Sequence, residues 1–144
     1  LIMAFPEGYD TVIGEGGGSL SGGEKQRLAL CVALGKEADY YFLDEPTKGM
    51  DAKSKKLFGE LLKEWTKMEK SIVMVSHDME FTAKYADEIS LLYQGEIIVQ
   101  CPVREFMEEN QFYTTGMNRV TRRVNPHIIT IEDVKKYAKR KNSQ

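Results

Sequence analysis

The sequence predicts an α/β fold: a parallel sheet flanked by helices, followed by a C-terminal hairpin and a basic tail. Three observations predict it. Short apolar runs alternate with amphipathic runs of helical period. The first two apolar runs end in chemistry-bearing residues, Asp44-Glu45 and Ser76-His77. Two later strand-like runs flank Gln94-Gly95, a pair suited to a tight turn.

Along the chain, residues 1–20 read as irregular, punctuated by Pro6, Gly8 and the Gly14–Gly18 cluster. A helix is expected from Gly22–Glu24 through "EKQRLALCVALGKEA", with Leu28 and Val32 on one face and Leu30 and Leu34 beside it. "YYFL", residues 40–43, is uniformly apolar and stops at two acids and Pro46, as a strand buried on both faces would. Asp51 is a suitable N-cap for the next helix. That helix carries Leu57, Leu61, Trp65 and Met68 at helical spacing, widened by Phe58 and Leu62. "SIVMVS" is expected to be a second buried strand, and "MEFTAKYA" a helix of about two turns. "EISLLY" and "EIIVQ" form the hairpin, and "VREFMEEN" a short helix. The tail from Phe112 is polar and basic, and Thr130 with Asp133 three residues on predicts a capped final helix.

With 144 residues, 42% hydrophobic and 29% charged, the chain has the composition of an ordinary globular domain. The formal net charge of −2 gives no bias toward nucleic acid, although residues 119–144 carry eight basic against two acidic side chains. That tail reads as a solvated face or linker, with anionic lipid headgroups as the less favoured partner. Cys31 and Cys101 are isolated, which suits small buried hydrophobes in a reducing setting better than a disulfide or metal site. No apolar run is long enough to span a bilayer.

Two stretches carry chemistry. "GGGSLSGGEKQR", Gly16 to Arg27, puts five glycines and two serines ahead of a helix. Such an N-terminus offers unpaired N–H groups and a favourable dipole to a phosphate. "YYFLDE" places adjacent carboxylates at the carboxyl end of a strand, the active edge of a parallel sheet. Side chains alternate along a strand, so Asp44 and Glu45 can hold different tasks. One carboxylate can hold Mg²⁺ and the other can polarise a water. Equally, both could merely end the strand and cap the next element.

Their neighbours decide between these readings. "LSGGEKQR", "YYFLDEPT", "TKGMD" and "IVMVSHD" occur in that order, separated by single elements. The set resembles the ATP-binding cassette (ABC) ATPases of ABC transporters, from Gly14 to about Tyr93 and more loosely beyond. The resemblance implies a partial P-loop NTPase fold. It implies that Asp44 binds the Mg²⁺ accompanying ATP and that Glu45 is the catalytic carboxylate facing the attacking water. His77 would be a second catalytic residue, contacting the γ-phosphate. Ser21, Gly22, Gly23 and Glu24 form the family signature, whose Ser21 and Gly23 would touch the γ-phosphate of an ATP gripped mainly by a second cassette. Asp51 would lie where the two cassettes meet. Lys25 and Arg27 read as a solvated helix face, and His127 as an ordinary tail residue.

No G-x-x-x-x-G-K-[ST] occurs, so the chain is expected to be the C-terminal half of a cassette, binding ATP weakly or not at all on its own and inactive without the rest of the ATPase. Residues 1–118 are assigned to that half and 119–144 to a basic tail or linker with a short helix. Implied partners are a second cassette and transmembrane transporter subunits, with no nucleic acid, on the cytoplasmic face of the cell membrane. "TVIGEGG" resembles exporter cassettes, whereas "LDEPTKGMD" and "FYTTGMNRVTRR" are similar to energy-coupling-factor importers. The importer features span more of the chain, so uptake is the expected direction. An exporter half, or a truncated interaction fragment without turnover, is the alternative.

Overall fold

The computed structural model describes residues 7–14, 17–18 and 20–141. It is α/β, and it divides into two compact units, Leu1–Ser76 and His77–Gln144.

The first unit holds a 3-10 turn at Gly8–Asp10, then α1 (Gly22–Leu34), β1 (Tyr40–Asp44), α2 (Ala52–Lys67) and β2 (Ser71–Val75). Strands β1 and β2 pair in parallel, with Tyr41 opposite Ile72, Leu43 opposite Met74 and Asp44 opposite Val75. Ser21 caps α1 and Asp51 caps α2, accepting from Ser54 N at 2.7 Å. Phe58 and Leu62 are the buried side chains of α2, while Leu57 and Met68 are exposed. The stripe expected along this helix is therefore turned toward Phe58, Leu62 and Trp65. The Trp65 ring meets the Tyr41 ring with centroids 4.5 Å apart.

The expectation of strands buried on both faces is corrected. Tyr41 and Leu43 are buried, but Tyr40 and Phe42 are 69% and 77% exposed. Val73 and Val75 on β2 are exposed as well. Alternate side chains point to opposite faces, and α2 covers one of them. Cys31, expected to be buried, is exposed on α1.

The second unit runs α3 (Met79–Tyr85), β3 (Glu88–Tyr93), β4 (Glu96–Pro102), α4 (Val103–Glu109), α5 (Gly116–Thr121) and α6 (Ile131–Lys141). Strands β3 and β4 form the expected antiparallel hairpin, with an irregularity between Leu91 and Leu92. Gln94 and Gly95 take φ of 50° and 85°, the left-handed pair that a two-residue hairpin turn needs. The core gathers Val103, Phe106, Met107 and Ile129, with Met79, Ala83, Ile89, Leu91 and Cys101 packed on it.

The segment after α4 is held by polar contacts. Thr115 caps α5 and its hydroxyl donates to Ile129 O at 2.6 Å. Asn118, fully buried, donates from Nδ2 to Pro126 O (2.7 Å) and Ile128 O (3.0 Å). Thr130 and Asp133 make the expected reciprocal contacts ahead of α6. Helix α5 was not expected from the sequence. Among the described residues no helix is long and apolar enough to cross a membrane.

Candidate functional site

The site is built where β1 ends. Asp44 closes the strand with its side chain exposed. Glu45 then leaves the ladder: its N–H still donates to Val75 O at 2.9 Å, but its φ is 45°. That is the left-handed region, unusual for a residue with a side chain. Its carbonyl accepts from Lys48 N at 3.1 Å and from Gln26 Nε2 of α1. Glu45 Oε1 is shielded from solvent. The two neighbouring acids thus sit in different surroundings, one open and one partly enclosed.

The chain turns through buried Pro46 and Thr47 to Gly49, whose φ of 72° suits glycine. This turn abuts the start of α1. A Cβ at Gly49 would lie 3.4 Å from Gly23 Cα, and one at Gly23 would lie 3.6 Å from Gly49 O. Asp51 ends the turn as the cap of α2. Hydrogen bonds from Ser54 hold its carboxyl below the usual range against the opposing effect of burial, with Lys53 and the charge of Arg27 adding less.

At the head of α1, Ser21 and Glu24 form a capping box. Ser21 Oγ donates to Glu24 Oε2 at 2.7 Å and Ser21 N donates to it at 2.9 Å, while Glu24 N donates to Ser21 Oγ at 3.4 Å. The Ser21 hydroxyl and N–H hold the Glu24 carboxyl below its usual range, with Arg27 adding to the effect. Gly22 has open space around it. Upstream, Leu20 N donates to Gly17 O at 2.9 Å. Gly16 and Ser19 of the glycine-rich stretch lie outside the described residues.

One unit thus carries Ser21, Gly22, Gly23, Glu24, Asp44, Glu45 and Asp51. His77 belongs to the other unit. It is exposed, and its carbonyl accepts from Met79 N at 3.1 Å just ahead of Asp78, the cap of α3. Gln26 and Gly49 went unnoticed in the sequence. Gln26 had one signal: it lies three and four residues beyond Gly23 and Gly22, hence on their side of the helix.

The donor set suits a hard cation held jointly with a ligand. Among the described residues no group of three or more His, Cys, Asp or Glu side chains could hold a metal. A single exposed carboxylate, Asp44, fits Mg²⁺, which keeps waters and leans on phosphate oxygens. The N–H groups at the head of α1 fit a phosphate.

Residues 3–48 match the family described as ABC transporter. A putative ABC transporter ATP-binding protein of Bacillus thuringiensis subsp. konkukian (strain 97-27) is 46% identical over 114 residues, covering 79% of this chain and 21% of its own length. Multidrug resistance protein 1 of Entamoeba histolytica is 37% identical over 144 residues, 99% of this chain and 11% of that protein. Among solved structures, a bacterial Atm1-family ABC exporter with ATP bound superposes with a TM-score of 0.67 at 29% identity. That match covers 78% of this chain and 19% of the exporter chain. The chain spans about a fifth or less of the length of the curated relatives it matches.

Proposed function

The chain carries part of an ABC transporter ATPase domain, and we propose that the complete protein binds and hydrolyses ATP to drive transport across a membrane. One observation carries this reading. The acids ending a parallel strand and the glycine-rich head of α1 share one unit, and the Gln26 side chain of α1 donates to the main-chain carbonyl of Glu45.

Phosphoryl transfer is catalysed largely by positioning and charge neutralisation. When bound, Mg²⁺ offsets charge on the phosphates of ATP. Asp44 would hold that ion from the open side of β1. Glu45, partly enclosed, would orient the attacking water and accept its proton. The N–H groups of Gly22 and Gly23 and the Ser21 hydroxyl would meet the γ-phosphate of a nucleotide held by a second cassette. Asp51 would lie at the junction of the two cassettes, and His77 would contact the γ-phosphate. Glu24 holds the Ser21 hydroxyl until the phosphate arrives.

The partners in this reading are a second cassette and transmembrane subunits, on the cytoplasmic face of the membrane. Residues 1–118 would serve the cassette and 119–144 a basic extension. For direction we favour export, because the superposed structure is an exporter. Uptake is the second reading, favoured by "LDEPTKGMD". Vesicles containing the complete transporter, with ATP on one side, separate the two by the direction in which substrate moves. Glu45→Gln in the complete protein should abolish hydrolysis and leave ATP binding intact; wild-type turnover would remove Glu45 from its role.

A further inference from the structure

We propose that Gln26 is a positioning residue for Glu45, tying the peptide of that carboxylate to the helix that begins at the Ser21–Glu24 turn. The proposal rests on the reading that Glu45 orients the attacking water.

Glu45 sits at φ 45°, where the backbone needs to be held. Three hydrogen bonds hold it. Its N–H donates to Val75 O across the strand pair, at 2.9 Å. Lys48 N reaches its carbonyl from within the turn, at 3.1 Å. Gln26 Nε2 reaches the same carbonyl from α1, nineteen residues earlier in the chain. The first two bonds belong to the strand and its turn. The third belongs to a different element, so it carries information the others do not.

Helix α1 meets this turn at a second point. Gly23 lies against Gly49, so a side chain at Gly49 would come within 3.4 Å of Gly23 Cα. Gly23 and Gln26 are one helical turn apart and move together. A ligand that draws the first turn of α1 toward itself also shifts the amide that fixes Glu45. Because the Glu45 carbonyl is anchored, a rotation of its peptide would swing the carboxylate. Misplacement of a catalytic group by about 1 Å can cost about a hundredfold in rate. Gln26 therefore acts on the reaction through Glu45, without touching the nucleotide. It couples contact at the signature turn to the aim of the carboxylate.

The test uses the complete transporter. Gln26→Met keeps the length and removes the donor; Gln26→Lys keeps a donor on a flexible stem. Gln26→Met should lower kcat about ten- to a hundredfold while KM for ATP stays within about twofold, and Gln26→Lys should restore most of the loss. A kcat within about twofold of wild type for Gln26→Met overturns the proposal, as does a Gln26→Lys loss as deep as that of Gln26→Met. Should the Met variant not accumulate, the near-isosteric Gln26→Glu replaces donor by acceptor. It should show the same kcat-selective loss, and wild-type kcat in it overturns the proposal. Glu45→Gln run alongside separates the two levels. Undiminished hydrolysis there defeats the role of Glu45 itself, whereas a dead Glu45→Gln with a fully active Gln26→Met defeats only the coupling.

Discussion

Gly23→Ala separates what the fold needs from what a ligand needs. The alanine Cβ would lie 3.6 Å from Gly49 O and 3.9 Å from Arg27 Nη1, both ordinary contact distances. Gly22→Ala meets nothing within 4 Å. Both positions are in the first turn of α1, where glycine is conformationally wasteful. Alanine in place of a helical glycine is worth up to about 1 kcal/mol. With a urea slope of about 1–3 kcal/mol/M, the midpoint of this chain should hold or rise by a few tenths of a molar. Activity should move the other way. In the proposed reading the first-turn N–H groups meet a phosphate, and a methyl beside them would hinder its close approach. A loss of about 1.4 kcal/mol in transition-state binding is tenfold, so kcat/KM for ATP in the complete protein should fall at least about tenfold. Urea titration of the chain and an ATPase assay of the complete protein read the two sides. Full activity in Gly23→Ala would refute close approach of a ligand to this turn. A stability loss above about 1 kcal/mol would instead show that α1 and the Gly49 turn are packed more tightly than these distances allow.

Two further outcomes concern the second unit. Asn118→Ala removes both carbonyl contacts of a fully buried amide, to Pro126 O and Ile128 O, and leaves Ile128 O with a 3.4 Å contact from the Thr121 hydroxyl. It also removes a buried Oδ1 that has no hydrogen-bond partner among the described residues, so the urea midpoint should report a net loss of about 2 kcal/mol. At Asp133, burial opposes ionisation. The N–H groups of Thr130 and Ile129, the Thr130 hydroxyl and the charge of Arg104 outweigh it and hold the carboxyl below its usual range. A carboxyl lowered on folding stabilises above its unfolded value, near pH 4, and that contribution is lost as pH falls through the lower folded value. Asp133→Asn should therefore cost about 1 kcal/mol at pH 7 and progressively less toward pH 3; an equal cost at both values would rule out the carboxylate charge.

What was legible in the sequence was local. The caps Asp51 and Thr130–Asp133 act over three residues, and the Gln94-Gly95 turn over two, so short-range patterns reveal them. What was not legible depends on distant neighbours. Tyr40 and Phe42 read as buried because strand composition says nothing of which faces are covered. Helix α5 has six residues and little propensity to declare itself; Thr115 and Asn118 hold it to carbonyls 8–14 residues away. The candidate site residues were visible as a motif, but the tie between α1 and the strand end was not, since Gln26 and Glu45 meet across nineteen residues.

The backbone of Glu45 adds an argument that the motif alone lacks. Three non-glycine residues have positive φ: Glu45, Glu69 and Gln94, among those described. Gln94 turns a hairpin, and Glu69 comes just after the C-cap of α2, where left-handed residues commonly end helices. Those two conformations serve the chain's path. Glu45 instead leaves a parallel strand while its N–H is still bonded to Val75 O. A left-handed L-residue costs about 1–2 kcal/mol, and glycine at the same place would relieve most of it. The cost of a glutamate here is offset by bonds from three sides, including one from α1. Strain held this firmly points to a side chain that must stand where it does. Glu45→Gly offers a direct check: it should leave the fold as stable or more so while removing hydrolysis from the complete protein. A marked loss of stability would mean that the carboxylate serves the fold instead.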